Sequence, residues 1–193
     1  MKNPMPGRSL RGFSLIEMLV VMALMLTLVA LGIPSLQNAL HQSKMRGMVQ
    51  EITVAMRLAR IDAIKTSSQG IVQVVPSAGP DQPAVVRAFS DRDSDGRLGA
   101  NEKVLATFVL PTGVNFDSVE DFSADPAGGP NMAIFRSDGS VADLGGAIRI
   151  SDPYGNHLEV RVQTPATARI EVLKLENGAY VPNGDKGNAW TWN

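Results

Sequence analysis

The hydrophobic pattern of the chain begins with one long apolar run. From Phe13 to Ile33 the only strongly polar residues are Ser14, Glu17 and Thr27. At 1.5 Å per residue, a helix of this length spans roughly 30 Å, which is the thickness of the hydrocarbon core of a bilayer. The run therefore predicts a membrane-spanning helix over residues 13–34.

The spacing of apolar residues changes after this run. Gly32 and Pro34 can loosen or kink a helix, and over residues 35–66 the apolar positions recur at steps of three and four. Such spacing places them on one face of an amphipathic helix, with most charged residues elsewhere. We expect this face to pack on a sheet. Its members are Met45, Val49, Ile52, Met56, Ala59 and Ala63.

From residue 67 onward the pattern becomes short β-rich runs separated by Gly, Pro, Asn and Asp. Residues 121–130 are rich in small and turn-forming residues and predict a surface loop, so residues 67–193 form one β-rich domain. The fold class is α+β, with a long N-terminal helix packed on an antiparallel β-sheet domain. The predicted strands are Ile71–Val75, Ala84–Phe89, Lys103–Leu110, Val114–Phe116, Met132–Arg136, Ala147–Ser151, Leu158–Val162 and Arg169–Leu175.

The charged residues before the apolar run predict its orientation in the membrane. Lys2, Arg8 and Arg11 precede it with no acidic residue among them. The positive-inside bias keeps such a terminus in the cytoplasm, so the β-rich domain is expected outside it. The whole chain has 18 Lys and Arg against 19 Asp and Glu, and it has no cysteine. A generally basic nucleic-acid binder, a disulfide framework and a thiolate metal site are therefore disfavoured.

The residues at the start of the run carry a processing signal. Leu31–Ser35 is a poor version of the small-residue site that follows a secretory signal. By contrast, Gly12-Phe13-Ser14-Leu15-Ile16-Glu17 closely resembles the class III leader of type IV pilins and type II secretion pseudopilins. The resemblance implies that a prepilin peptidase cleaves after Gly12, removing residues 1–12, and that Phe13 is N-methylated.

Glu17 would be the fifth residue of the mature chain. An ionised carboxylate is expensive in a bilayer and is normally paired, so its presence indicates a function. Within the pilin resemblance, its partner is the N-terminal amine of a neighbouring subunit. The alternative is an ordinary single-pass anchor whose Glu17 lies close enough to the interface to reach water or to be protonated.

Three further stretches narrow the resemblance. The helix end Ala55–Ile64, the hairpin Ile134–Val141 and the turn Ser151–Asn156 are similar to the GspH/FimT family of minor pilins and pseudopilins. This implies a structural subunit of a filament machine, in type II protein secretion or type IV pilus biogenesis. The alternatives are a DNA-binding minor pilin for DNA uptake and a static membrane-anchored receptor.

The resemblance also implies partners and a location. The partners are the prepilin peptidase/N-methyltransferase, other pilins or pseudopilins, an inner-membrane assembly platform, and membrane lipid before assembly. The protein is expected in the bacterial inner membrane as a single-pass protein, with its N-terminus cytoplasmic and its globular domain in the periplasm or in an extracellular filament.

Motifs of catalysis are missing from the sequence. There is no Gly-x-Ser-x-Gly elbow and no glycine-rich phosphate loop, and His41 and His157 have no metal-binding spacing. We predict a non-enzyme that requires no cofactor.

DNA binding needs a basic patch that contacts phosphates. Members of the family thought to bind DNA carry a Gly-Arg-x-Arg cluster, and the corresponding stretch here, Thr164–Glu171, contains only Arg169. Other basic residues of the last third are scattered. DNA as a partner is therefore disfavoured, and a gel shift would test it. The scattered residues are Arg149, Arg161, Lys174 and Lys186.

One loop matches the twelve-residue calcium template Asp-x-Asp-x-Asp-Gly-x₅-Glu. The template assigns carboxylate ligands to Asp91, Asp93, Asp95 and Glu102, a carbonyl ligand to Arg97 and a sharp turn to Gly96. We expect Leu98 to point into the domain and strands, not helices, to flank the loop. The alternative is a polar turn without metal, in which Arg92 and Arg97 pair with the acids.

The chain ends with Trp190-Thr191-Trp192-Asn193. In an extended segment both tryptophans lie on one side. They form either a docking patch for another subunit or an edge that covers the protein's own core.

Overall fold

The structure is a computed structural model. It describes residues 13–79, 82–120, 132–142, 145–164 and 166–182, apart from the side chains of Pro34, Ser35 and Glu120. Internal contacts divide the chain into residues 1–39 and residues 40–193, and each unit is described by itself. Gly12, the predicted loop 121–130 and the two tryptophans lie outside the described residues.

Helix α1, Leu15–Thr66, contains 52 residues. It passes Gly32 and Pro34 without interruption, so the two helical segments expected from the sequence are one element. Every side chain from residue 13 to residue 33 is exposed. Among the described residues, α1 is long and apolar enough to cross a membrane, with an 18-residue window of mean hydropathy 2.5.

In the second unit, α1 buries the face that the spacing predicts. All six residues of that face are at most 3% exposed. Met48 and Ala55 are also buried, which makes the face wider than the sequence indicated. The amphipathic helix is therefore confirmed, and its apolar side belongs to the core.

Among the described residues, nine strands follow in two antiparallel sheets. The first sheet has the order β3-β2-β1-β5, and the second has the order β4-β6-β7-β8-β9. All eight predicted strands are present with shifted ends, which confirms the α+β class. The strands are β1 Gln69–Val75, β2 Val85–Asp91, β3 Val104–Val109, β4 Asn115–Glu120, β5 Met132–Phe135, β6 Gly146–Ser151, β7 His157–Val162, β8 Ile170–Glu176 and β9 Ala179–Pro182.

Strand β9 was not predicted from the sequence. It is only four residues long and forms a hairpin with β8 through Asn177 and Gly178, which have φ angles of 51° and 81°. Asn-Gly between two strands is the strongest short-range hairpin signal, because both residues tolerate positive φ. The dipeptide Asn177-Gly178 therefore indicates this hairpin in the sequence.

The main core lies between the buried face of α1 and strands of both sheets. A second, smaller core consists of Ile71, Phe89 and Met132, with Leu98 and Ile134 packed against it. Leu98 therefore points into the domain, as expected, and it connects the acidic loop to this smaller core.

Gly70 allows the helix and the first strand to approach each other. A Cβ atom at this position would lie 2.1 Å from the carbonyl oxygen of Ala59. The obstacle is backbone, which a side-chain rotation cannot relieve. Only a glycine fits at this contact.

We therefore expect Gly70→Ala to lower the free energy of unfolding by about 3 kcal/mol or more, the upper part of the range for overpacked sites. Urea denaturation of residues 40–193 measures this change. Gly79→Ala is the control, since a Cβ there meets nothing within 4 Å. Equal stability of the two variants would contradict the close approach.

The predicted hairpin after β5 is present. Gly139 N donates to Arg136 O at 2.8 Å, and Arg136 N donates to Ser140 O at 2.8 Å. Gly139 has a φ of 81°, and a Cβ there would lie 2.9 Å from Ile64 of α1. The glycine of this motif is thus required by its turn, and a Cβ there would also displace the end of the Ile64 side chain.

Candidate functional site

The N-terminal candidate site begins at the start of α1. Phe13 is 75% exposed and precedes the helix. Ser14 caps it, because the backbone N–H of Glu17 donates to Ser14 Oγ at 3.2 Å. A serine followed three residues later by a glutamate is a known helix-start signal, so this cap was predictable from the sequence. Ser14 therefore fixes the first turn, which contains Glu17.

Glu17 differs from the other two polar residues of the apolar run. Ser14 acts as a cap, and Thr27 donates its hydroxyl to the carbonyl oxygens of Ala23 and Leu24 at 3.0 and 2.7 Å. Within the part of the chain that the structure describes, the Glu17 carboxylate has no hydrogen-bond or ion-pair partner. It is also the one charged residue between Phe13 and Ile33. Its charge therefore needs a partner from outside the described chain once it enters lipid.

Helix α1 also has exposed apolar side chains on the side away from its buried face. Leu40, Val54 and Leu58 are 54%, 44% and 38% exposed. Their spacing of fourteen and four residues places them on one side of the helix. We call these three residues the outer stripe. The distal half of α1 thus buries one apolar side in the core and exposes these three apolar side chains elsewhere.

The acidic loop joins β2 to β3, so strands flank it as the sequence predicts. It brings Asp91, Asp93, Asp95 and Glu102 together, with one carboxylate oxygen of each within 4.8 Å of the others. Gly96 has a φ of 75°, which is the sharp turn expected there. The template therefore predicts the spatial clustering of these four side chains correctly.

Backbone donors hold the carboxylates in place. Asp91 accepts hydrogen bonds from the N–H of Ser94 at 2.7 Å and of Gly96 at 3.1 Å. Asp95 accepts one from the N–H of Arg97 at 2.7 Å. The two oxygens of Glu102 accept from the N–H groups of residues 92 and 99 at 3.1 and 2.8 Å. Because a carboxylate oxygen can accept more than one bond, these groups retain capacity for a cation.

The loop concentrates negative charge that its own arginines do not neutralise. No ion pair joins Arg92 or Arg97 to a loop carboxylate among the described residues, contrary to the alternative considered from the sequence. Asp91 is fully buried, and burial raises its pKa to about 6. The hydrogen bonds from Gly96 and Ser94 act in the opposite direction on this pKa.

The scattered basic residues of the last third mostly face acids. Buried Glu159 forms ion pairs with Arg149 and Arg161 of the two strands β6 and β7. Arg169 pairs with Glu171 at 2.7 Å, and the amine of Lys174 lies 3.7 Å from Glu176. Lys186 is outside the described residues. These pairs leave little positive charge for phosphates in this region, and the expectation that DNA is not a partner stays a prediction.

Comparison with known proteins gives two family matches. Residues 8–33 match the prokaryotic N-terminal methylation motif. Residues 48–167, more than half of the chain, match the family described as type II transport protein GspH. Comparison with curated proteins gives no significant match.

Two crystal structures of the type IV minor pilin FimU from Pseudomonas aeruginosa are similar in fold. The P65 form has a TM-score of 0.44 at 9% identity, covering 70% of this chain and 96% of FimU. The P21 form has a TM-score of 0.46 at 7% identity, covering 73% and 95%.

The methylation motif, the long apolar helix and the helix-on-sheet domain define a type IV pilin-like subunit. The chain belongs to the GspH family. Membership of this family confirms the predicted resemblance to GspH pseudopilins of type II secretion.

Proposed function

We propose that this protein is inserted in the bacterial inner membrane, processed after Gly12 by a prepilin peptidase, and then assembled with other pilin-like subunits through α1. The N-terminus is cytoplasmic and the globular domain lies on the far side. Its role is structural. The observation that supports this proposal best is the unpartnered Glu17 carboxylate at the start of an otherwise apolar helix.

Assembly provides Glu17 with the partner that it lacks. Cleavage before Phe13 creates a positively charged amine four residues from Glu17, at the same end of every subunit. When two subunits are displaced along their helix axes, the amine of one reaches the carboxylate of the next. A pair formed in low dielectric is strong, and each charge offsets the desolvation cost of the other.

The outer stripe supports the same proposal for the distal half of α1. Exposed apolar residues at helical spacing indicate an unfilled contact with another helix. Gly47 lies between Leu40 and Val54 at intervals of seven residues and has open space around its Cα. A neighbouring helix can therefore approach this side closely.

The proposal is tested by cross-linking in cells and by mass spectrometry. A photoreactive residue at position 54 or 58 should form adducts with other pilin-like proteins, whereas one at Thr107, exposed on β3, should do so much less. The mature N-terminus should be a methylated Phe13. An unprocessed chain without pilin-like adducts would favour a static membrane-anchored receptor.

We also propose that the acidic loop binds calcium. Asp91, Asp93, Asp95 and Glu102 supply carboxylate oxygens, and Arg97 supplies its backbone carbonyl, which matches the oxygen ligands that Ca²⁺ prefers. The support is the convergence of four carboxylates, none of which forms an ion pair with Arg92 or Arg97 within the described residues. The ion would be structural, joining β2 to β3 and, through Leu98, to the smaller core.

A further inference from the structure

A groove of about 460 Å³ lies between the last turns of α1 and the start of β8. Its helical side consists of Arg57, Arg60, Ile61 and Ile64, and residues 168–170 complete it. The four helical residues recur at steps of three and four, so they share one face over roughly 10 Å of helix. Because an extended peptide rises about 3.3 Å per residue, about three of its residues fit along this face.

The groove carries positive charge that the described residues do not neutralise. Arg169 pairs with Glu171 at 2.7 Å. By contrast, neither Arg57 nor Arg60 forms an ion pair within the described part of the chain. The Nε atom of Arg60 is also buried and has no hydrogen-bond partner. Since a buried donor without an acceptor is costly, and carboxylates are strong acceptors for a guanidinium group, the groove favours an occupant with carboxylate groups.

The same groove exposes apolar surface. Ile61 and Ile64 are 60% and 49% exposed, and covering such side chains is favourable. The two isoleucines lie three residues apart on the helix, so one apolar side chain of an occupant can contact both. The occupant that fits therefore combines carboxylate groups with an apolar side chain.

These side chains favour a peptide over a nucleic acid. Grooves that bind single-stranded nucleic acid combine free cations with aromatic side chains on which the bases stack. None of the described residues that line this groove is aromatic, and Arg169 is already paired with an acid. Exposed isoleucines give a phosphate backbone nothing to contact. A peptide with glutamate or aspartate beside an aliphatic residue uses both the arginines and the isoleucines.

We propose that this groove binds an acidic segment of a partner protein. Carboxylates of the segment pair with Arg57 and Arg60, and an apolar side chain between them covers Ile61 and Ile64. The whole chain has 18 Lys and Arg against 19 Asp and Glu, so the free positive charge here is local and guides an acidic partner to this face. The site includes neither Glu17 nor the outer stripe, and its test is independent of the proposed assembly.

Fluorescence anisotropy of a labelled peptide tests the proposal with the full-length protein in a neutral detergent. The probe is a pentapeptide of alternating glutamate and leucine that begins and ends with glutamate. Its anisotropy should rise to saturation as protein is added, whereas empty micelles should not cause this rise. A control peptide with glutamine in place of each glutamate should bind at least about tenfold more weakly, because hydrogen bonds to charged groups are the stronger ones.

Variants of the helical side should weaken binding of the probe. Arg57→Gln and Arg60→Gln should each lower the affinity about tenfold or more, because each removes a charged partner of a carboxylate. Lys65→Gln is the matched control. It removes one positive charge from the same helix but lies outside the groove, so the affinity should stay within about twofold once salt screens distant charges. Circular dichroism confirms that each variant is folded.

Protection from alkylation locates the bound probe, because the natural chain has no cysteine. Ile61→Cys should react with iodoacetamide in the free protein and several times more slowly with saturating probe peptide. Thr107→Cys, exposed on β3, should react at the same rate with and without the peptide. Equal protection of both cysteines would mean that the peptide binds without a fixed place, and would overturn the proposal.

The binding measurements can also contradict the proposal. Absence of saturable binding, equal affinity for the glutamine peptide, or unchanged affinity in both arginine variants would each overturn it. Displacement of the probe by duplex DNA at a lower concentration than by the unlabelled peptide would assign the groove to nucleic acid instead, and would overturn it as well.

Discussion

Glu17→Ala is expected to leave the protein processed and membrane-inserted but almost absent from assembled filaments. Removing one partner of a buried ion pair costs about 3–5 kcal/mol, because the other charge is left without compensation. At roughly 1.4 kcal/mol for each factor of ten, incorporation should fall about 100-fold or more. The ratio of filament-associated to membrane-associated protein, quantified by immunoblotting, measures the effect.

Two variants separate the charge of Glu17 from its other properties. Glu17→Gln keeps the size and the helix-capping sequence spacing but removes the charge, so it should resemble the alanine variant. Thr27→Ala is the matched control, because the Thr27 hydroxyl bonds only to its own helix. Normal incorporation of Glu17→Gln would contradict the ion pair and favour a carboxyl group that is protonated or near the interface.

The elements that the sequence predicted best are those with strong periodicity. The face from Met45 to Ala63 was visible because steps of three and four over several turns leave little ambiguity. Its six residues are all buried. Local signals were weaker where an element is short, so β9 was missed although Asn177 and Gly178 mark its turn.

Other features depend on contacts that a sequence does not display. Gly32 and Pro34 were expected to loosen or kink the helix, and α1 continues through both as one element. Arg149 and Arg161 were counted as scattered positive charges. Only the strand register shows that both meet the buried Glu159.

The two candidate sites were predictable to different degrees. The acidic loop is a contiguous template, so the sequence indicated its four clustered side chains and the turn at Gly96. At the N-terminus the motif indicated Glu17, but not that Ser14 caps the helix or that Thr27 is satisfied internally.

Calcium is expected to raise the unfolding midpoint of residues 40–193 by several degrees. Extracellular modules bind calcium with dissociation constants of about 10⁻⁴–10⁻³ M. At a concentration ten to a hundred times higher, a ligand that binds only the folded state stabilises it by about 1.4–2.7 kcal/mol. For a domain of this size, each kcal/mol corresponds to roughly 2–4 °C, so the midpoint should rise by about 3–10 °C.

The loop offers a variant that distinguishes ion binding from turn formation. Asp93 is exposed, and its one internal bond is the long 3.3 Å contact from the N–H of Asp95. Asp93→Ala should therefore hardly change the midpoint in chelator, yet should abolish most of the response to calcium. Glu102→Ala should also lose the response, but with a lower midpoint in chelator, because its oxygens accept bonds from residues 92 and 99.

Arg97→Ala is the matched control for these variants. Position 97 is expected to offer its backbone carbonyl, and any residue other than proline can present that group in the same loop conformation. The variant also removes a positive charge beside the cluster, so its response to calcium should be at least as large as that of the wild type. If calcium leaves the wild-type midpoint unchanged, or raises it equally in Asp93→Ala, the loop is a polar turn and its carboxylates are stabilised by backbone N–H groups alone.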